Sequence, residues 1–155
     1  MPSSSTSASA PVTVLLTGAT GFVGSHLDAA LEVTGWNVRR ATRNRARSAE
    51  PGWVHLDVED EATLLPALEG CDAAVYLIHS IDDSEDYPER EARAAEAFLE
   101  AAERQGVRRI VYVGGVAPAE RPSRHLQSRL RTGEILRSGS VSTIELRCGL
   151  IIGAG

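Results

Sequence analysis

The chain alternates short, nearly pure apolar runs with longer stretches in which apolar residues recur every three or four positions. Val12–Thr17 is a β-branched and leucine run without polar alternation, the pattern of a strand buried on both faces of a parallel sheet. Trp36–Thr42, Val54–Leu56, Ala73–Ile78, Arg109–Val113 and Val141–Arg147 predict five further strands. Between the first two, a helix from Phe22 to about Thr34 sets Phe22, Val23, Leu27, Ala30 and Leu31 on one face and stops at Gly35. Glu59–Leu68 predicts a second helix, with Asp57 or Asp60 as its cap and Gly70 past its end. Tyr87–Gln105 predicts a long third helix, closed by Gly106, whose core-facing stripe is Ala94, Ala95, Phe98, Leu99 and Ala102. Ser123–Ser138 predicts a fourth, ending at Gly139.

Strands separated by helix-length segments require right-handed crossovers. The expected fold class is therefore α/β: a doubly wound parallel sheet of about six strands, order 3-2-1-4-5-6, covered by helices. In such a sheet a ligand sits at the carboxyl ends of the strands, where the strand order reverses. Met1 to Pro11 is rich in Ser and Ala and lacks an apolar core, which predicts a disordered tail. Residues 12–155 form the one domain expected of a chain of 155 residues.

Composition narrows the partners. The net charge of −5 works against binding a phosphate backbone or an anionic membrane surface. No apolar run approaches the roughly 20 residues needed to cross a bilayer, so a soluble, cytoplasmic protein is expected. Cys71 and Cys148 stand far apart without metal-ligand spacing and read as small buried hydrophobes. The acidic stretch Asp82–Asp86 lacks ordered ligand spacing, and no metal is expected.

Candidate chemistry begins directly after the first strand, at Thr17-Gly18-Ala19-Thr20-Gly21-Phe22-Val23-Gly24. The spacing is G-x-x-G-x-x-G, and its context is strand, turn, helix. Gly18 lets the chain leave the strand in a conformation closed to other residues. Gly21 lets the backbone approach a pyrophosphate, Gly24 lets the helix pack tightly, and the helix start offers free N–H groups to an anion. At the end of the second strand, where a carboxylate would accept a ribose 2′-hydroxyl, stand Arg39, Arg40, Arg43, Arg45 and Arg47, with no acid before Glu50. A guanidinium fork suits a 2′-phosphate, so NADP(H) is favoured over NAD(H).

The stretches TGATGFVGSHL, VRRATRN, LDVED, VYLIHS, GVRRIVYVGGV and ELRCGLIIGAG together resemble the atypical short-chain dehydrogenase/reductase superfamily, and within it the NmrA-like NAD(P)H-binding oxidoreductases. The likeness runs from Val12 to Gly155 and implies a Rossmann domain. It implies that Gly18, Thr20, Gly21, Phe22, Val23 and Gly24 hold the pyrophosphate and that Arg43 meets the 2′-phosphate. It further implies that Asp57 and Val58 border the adenine, and that Leu77 to Ser80, His79 among them, pass near the ribose and nicotinamide. A dimer face on the third and fourth helices is implied as well. Relatives also carry a further C-terminal segment that shapes the substrate pocket, which this chain is expected to lack.

The catalytic pattern of that superfamily is not kept. Its reductases use Tyr-x-x-x-Lys on a helix and a Ser after the fifth strand. Here there is no lysine, none of Tyr76, Tyr87 and Tyr112 has a basic residue four positions on, and the fifth strand ends Gly114-Gly115. His125 and Arg129 occupy the helix with the i, i+4 spacing that shares one face. They are the weak catalytic candidates: His125 as a proton donor and Arg129 as a hold on the nicotinamide ribose. His26 and His55 read as structural. The expected function is NADP(H)-dependent hydride transfer to a small organic substrate. The alternatives are a non-catalytic dinucleotide sensor and an inactive fragment.

Overall fold

The computed structural model describes residues 10–79, 86–116 and 121–153. The expectations for the tail before Ala10, for Ser80 and for most of the acidic stretch lie outside the described residues. The elements are β1 (Thr13–Leu16), α1 (Phe22–Glu32), β2 (Asn37–Thr42), β3 (Trp53–His55), α2 (Leu64–Leu68), β4 (Ala73–Tyr76), α3 (Tyr87–Arg104), β5 (Arg109–Gly115), α4 (Arg124–Ser138) and β6 (Ser142–Cys148).

The six strands form one sheet in the order β3-β2-β1-β4-β5-β6, and each pairing is parallel. That is the order expected from the sequence. β1 lies at the centre because its side chains are apolar on both faces. Leu15 joins Ala74, Tyr76, Ile110 and Tyr112 beneath α2, α3 and α4, while Val14, Leu16 and Val75 point the other way, toward Leu27 and Leu31 of α1. The stripe read from the sequence of α3 is buried: Ala94, Ala95, Phe98, Leu99 and Ala102 all belong to the core. α3 is followed by Gly106 at φ 70°, a left-handed position that glycine adopts without steric cost.

Three expectations are corrected. The second helix does not span Glu59–Leu68; a 3-10 turn at Glu61–Thr63 precedes a five-residue α2. Pro66 removes an N–H and crowds the carbonyl four residues back, so α-helical geometry begins only at Leu64. The turn is held instead by Asp60, whose side chain accepts from Ala62 N, and by the Thr63 hydroxyl, which donates to the carbonyls of Asp57 and Asp60. In α1, Phe22 and Ala30 are exposed, and the buried residues are Gly24 and Leu31. Packing a glycine lets the helix sit so low on the turn that the aromatic ring is left outside. Cys71 is buried as expected, but Cys148 is only partly so, because β6 is an edge strand.

Candidate functional site

The strand order reverses between β1 and β4, and the turn after β1 opens beside the end of β4. Thr17 joins the two strand ends. Fully buried, its hydroxyl donates to the Val75 carbonyl at 2.9 Å and accepts from Leu77 N at 2.9 Å. Gly18 follows at φ 64°, a conformation that side chains rarely take. A Cβ there would also stand 3.1 Å from the Leu77 side chain. Gly21 N then donates to Gly18 O at 2.9 Å, closing the turn against the start of α1.

Gly24 is the most constrained position of the three. A Cβ on it would lie 2.0 Å from Gly18 O and 2.7 Å from Gly18 C, both backbone atoms. The first turn of α1 therefore rests on the glycine turn itself. Gly21 is the N-cap residue, no side chain caps this terminus, and its first turn carries no acidic residue. The N–H groups of Phe22, Val23 and Gly24 have no partner within the helix, and the positive end of the helix dipole is uncompensated.

A cleft of about 760 Å³ opens along these strand ends, lined among others by Gly18, Thr20, Gly21, Arg43, Asp57, Val58 and His79. Its size lies within the range of small-molecule and cofactor sites. Of the residues singled out by sequence, those seven are brought together on the cleft wall. Phe22, Val23 and Gly24 lie in the first turn of α1 and are not among its lining residues. Leu77 and Ile78, from the stretch expected near the ribose, also line it; Thr42, Asn44, Glu59 and Arg90 line it too, and the sequence had not singled these out. Nothing in their spacing marks them, because Arg90 reaches the cleft from the first turn of α3 and meets Glu59, far from it along the chain, only in the folded structure.

The arginine cluster divides. Arg39 turns toward α2 and donates to the carbonyls of Ala67 at 3.0 Å and Glu69 at 2.6 Å. Arg40 turns the opposite way and pairs with Asp28 and Glu32 of α1. Arg47 lies over the Trp53 ring at 4.6 Å. Arg43 lies past the strand, exposed on the cleft wall, and pairs with no carboxylate among the described residues. Its loop is held rigid from below, since Asn44 Oδ1 accepts from the backbone of Ala46 and Arg47.

At the other end of the cleft His79 follows β4. Burial, and then the nearby charge of Arg129, hold its imidazole down at about 4, so it is neutral at physiological pH. Arg129 is fixed in place through its own backbone: the Tyr112 hydroxyl donates to its carbonyl at 2.9 Å. A Cβ on Gly115 would lie 3.9 Å from Arg129 Cδ, which puts that side chain at the end of β5. His125, one turn earlier on α4, packs against the Tyr87 ring with centroids 5.3 Å apart. Tyr76 and Tyr112 are buried, and burial pushes both phenols up, opposite to an activated proton donor. His26 is exposed on α1 with Nδ1 2.9 Å from the Phe22 carbonyl, and His55 lies within β3. Among the described residues no cluster of His, Cys, Asp and Glu is placed to hold a metal, and no helix is long and apolar enough to cross a membrane.

A doubly wound parallel sheet with a glycine turn, an uncapped helix start and a long cleft at the switch point defines a nucleotide-binding α/β domain. Residues 18–138 match the family model described as NAD(P)H-binding, and the chain belongs to that family. It is 29% identical over 111 residues to cinnamoyl-CoA reductase 1 of rice, covering 64% of this chain and 33% of that protein. An uncharacterized oxidoreductase of Bacillus subtilis is 31% identical over 98 residues, covering 63% of this chain and 32% of the other.

Among solved structures, a short-chain dehydrogenase/reductase superfamily protein of Agrobacterium tumefaciens with bound NAD superposes at TM-score 0.73 and 24% identity, covering 87% of this chain and 48% of that one. An NADPH-dependent quinone oxidoreductase of Escherichia coli complexed with NADPH does so at TM-score 0.70 and 25% identity, over 88% of this chain and 48% of that one. The chain thus spans about a third of the curated relatives and about half of these structures. It is an NAD(P)H-binding domain with oxidoreductases among its relatives.

Proposed function

We propose that this domain binds NADP(H) in preference to NAD(H) and serves an oxidoreductase that moves hydride between the nicotinamide and a small organic substrate. The observation that carries the reading is Arg43. Alone among the arginines of its cluster it lines the cleft, while Arg39, Arg40 and Arg47 are engaged elsewhere. A guanidinium beside the ribose position, without an acidic partner among the described residues, suits a 2′-phosphate. In this reading the backbone of Gly18, Thr20 and Gly21 and the N–H groups of Phe22, Val23 and Gly24 take the pyrophosphate. Asp57 and Val58 border the adenine, and His79 and Arg129 lie toward the nicotinamide ribose.

The nicotinamide, when bound, supplies the hydride. Its surroundings here lack an activated tyrosine, and a neutral His79 accepts a hydrogen bond more readily than it gives up a proton at neutral pH. Arg129 contributes a fixed positive charge at the end of β5. We place the protein in the cytoplasm, where Cys71 and Cys148 stay reduced.

Isothermal titration with NADPH and NADH tests the cofactor choice. Tighter NADPH binding is expected, with Arg43→Ala weakening NADPH by about ten- to a hundred-fold and leaving NADH unchanged. Equal loss of both nucleotides would refute the assignment of Arg43. A second reading, a dinucleotide sensor without turnover, draws on the buried Tyr76 and Tyr112 and on the Gly114-Gly115 strand end. NADPH oxidation across a panel of carbonyl substrates separates the two, since a sensor binds and does not turn over.

A further inference from the structure

β6 closes one edge of the sheet, and among the described residues no strand pairs with its outer side. Its seven residues keep unbroken register with β5, from Ser142 beside Arg109 to Cys148 beside Gly115. Cys148 O accepts from Val116 N, so the even-numbered residues turn their backbone groups toward β5. The N–H and C=O groups of Thr143, Glu145 and Arg147 therefore point away from the sheet. Edge strands are ordinarily guarded against further pairing by a lysine, a proline, a bulge or short length. β6 has none of these.

The two faces of β6 differ. Toward the α1 side stand Ile144, 41% exposed, and Leu146, 49% exposed, beside the half-buried Val111 and Val113 of β5. Toward α4 stand Glu145, whose carboxylate is buried against Gly133, and Arg147, which pairs with it at 3.2 Å. Arg137 pairs with the same carboxylate oxygen, so Arg147 only shares it and keeps an exposed guanidinium. An apolar strip thus runs to an open edge whose opposite face carries an acid and a base two residues apart.

We propose that β6 is a self-association edge, pairing antiparallel with the β6 of a second copy of this chain across a two-fold axis at Leu146. Charge fixes that register. With the axis at Leu146, Glu145 of each copy lies opposite Arg147 of the other, and these residues, whose backbone groups face outward, exchange hydrogen bonds. An axis at Glu145 or at Arg147 sets like charges abreast, which opposes pairing. Leu146 then meets its own copy in the close, non-hydrogen-bonded position, Ile144 meets Cys148, and the apolar strip continues across both sheets. This edge differs from the face of α3 and α4 that the family resemblance implies. It also lies away from the glycine turn and Arg43, which follow β1 and β2.

Sedimentation equilibrium of the full chain over a concentration series is the test. One strand pair buries a small interface, so a dimer with a dissociation constant of roughly 10–100 µM is expected. Leu146→Lys sets two ammonium groups face to face and is expected to weaken association about tenfold or more. Its urea unfolding midpoint should stay that of the unaltered chain, because the side chain is half exposed. The register has its own readout in a Cys148→Ser background. There Leu146→Cys is expected to form an interchain disulfide on mild oxidation, whereas Ser142→Cys, about 27 Å from its copy in this register, is not. A single-chain mass up to about 1 mM would overturn the proposal. So would a dimer that Leu146→Lys leaves intact, which would lie on another face such as that of α3 and α4, or equal cross-linking by the two cysteine variants.

Discussion

At Gly24 one missing methyl group decides how helix and turn meet. The backbone of Gly18 occupies the space a Cβ would need, at 2.0 Å, and neither partner is a side chain that can swing aside. Gly24→Ala is expected to cost about 3 kcal/mol in urea unfolding and to abolish dinucleotide binding, because the helix start must lift off the turn. His79 sets a different dependence. Its imidazole is held at about 4 against 6.5 in an exposed histidine. Between those values the unfolded chain takes up a proton that the folded chain refuses. The stability His79 contributes is therefore fully present above pH 6.5 and is lost as pH falls toward 4. Urea unfolding at a series of pH values should show that slope, and His79→Asn should flatten it.

Among elements, the cleft depends on how β1 and β4 end together. Thr17 is the clamp, since its buried hydroxyl serves the Val75 carbonyl and the Leu77 amide at once. Thr17→Val keeps the shape and removes both bonds, at an expected cost of about 2 kcal/mol by chemical denaturation. NADPH affinity should fall with it, because the Gly18 turn and Leu77 lose their spacing. The element that sequence described least well is α2. Its apolar positions were legible as one helix from Glu59, but Pro66 and the Thr63 hydroxyl break that helix into a 3-10 turn and a short α segment. Periodicity reports which face is apolar, and it does not report where backbone hydrogen bonding can start.

Across the whole molecule the glycine turn, the β2 end, the β3 end and the β4 end belong to four separate stretches of chain that meet only when the sheet closes. A ligand lying across all of them holds the folded state as a unit. NADPH at a hundred times its dissociation constant is therefore expected to raise the unfolding free energy by about 2.7 kcal/mol, read as a rise in Tm. A ligand-independent Tm would count against a site built from this cleft.

The strand order, the crossover helices and the glycine turn were legible from residues alone, because each rests on local regularities: apolar runs, helical periodicity, glycine at a strand-to-helix junction. Arg43 was singled out among five arginines near a strand end, by the family resemblance. Why its neighbours turn away from the cleft is decided by packing. Successive strand residues point to opposite faces, so Arg39 meets the end of α2 and Arg40 meets α1, while Arg43, past the strand, escapes both. Arg90 and Glu59 carry no mark in the sequence at all. They lie 31 positions apart and become neighbours because β3 and α3 lie on either side of the switch point, a relation that long-range packing creates and no local pattern encodes.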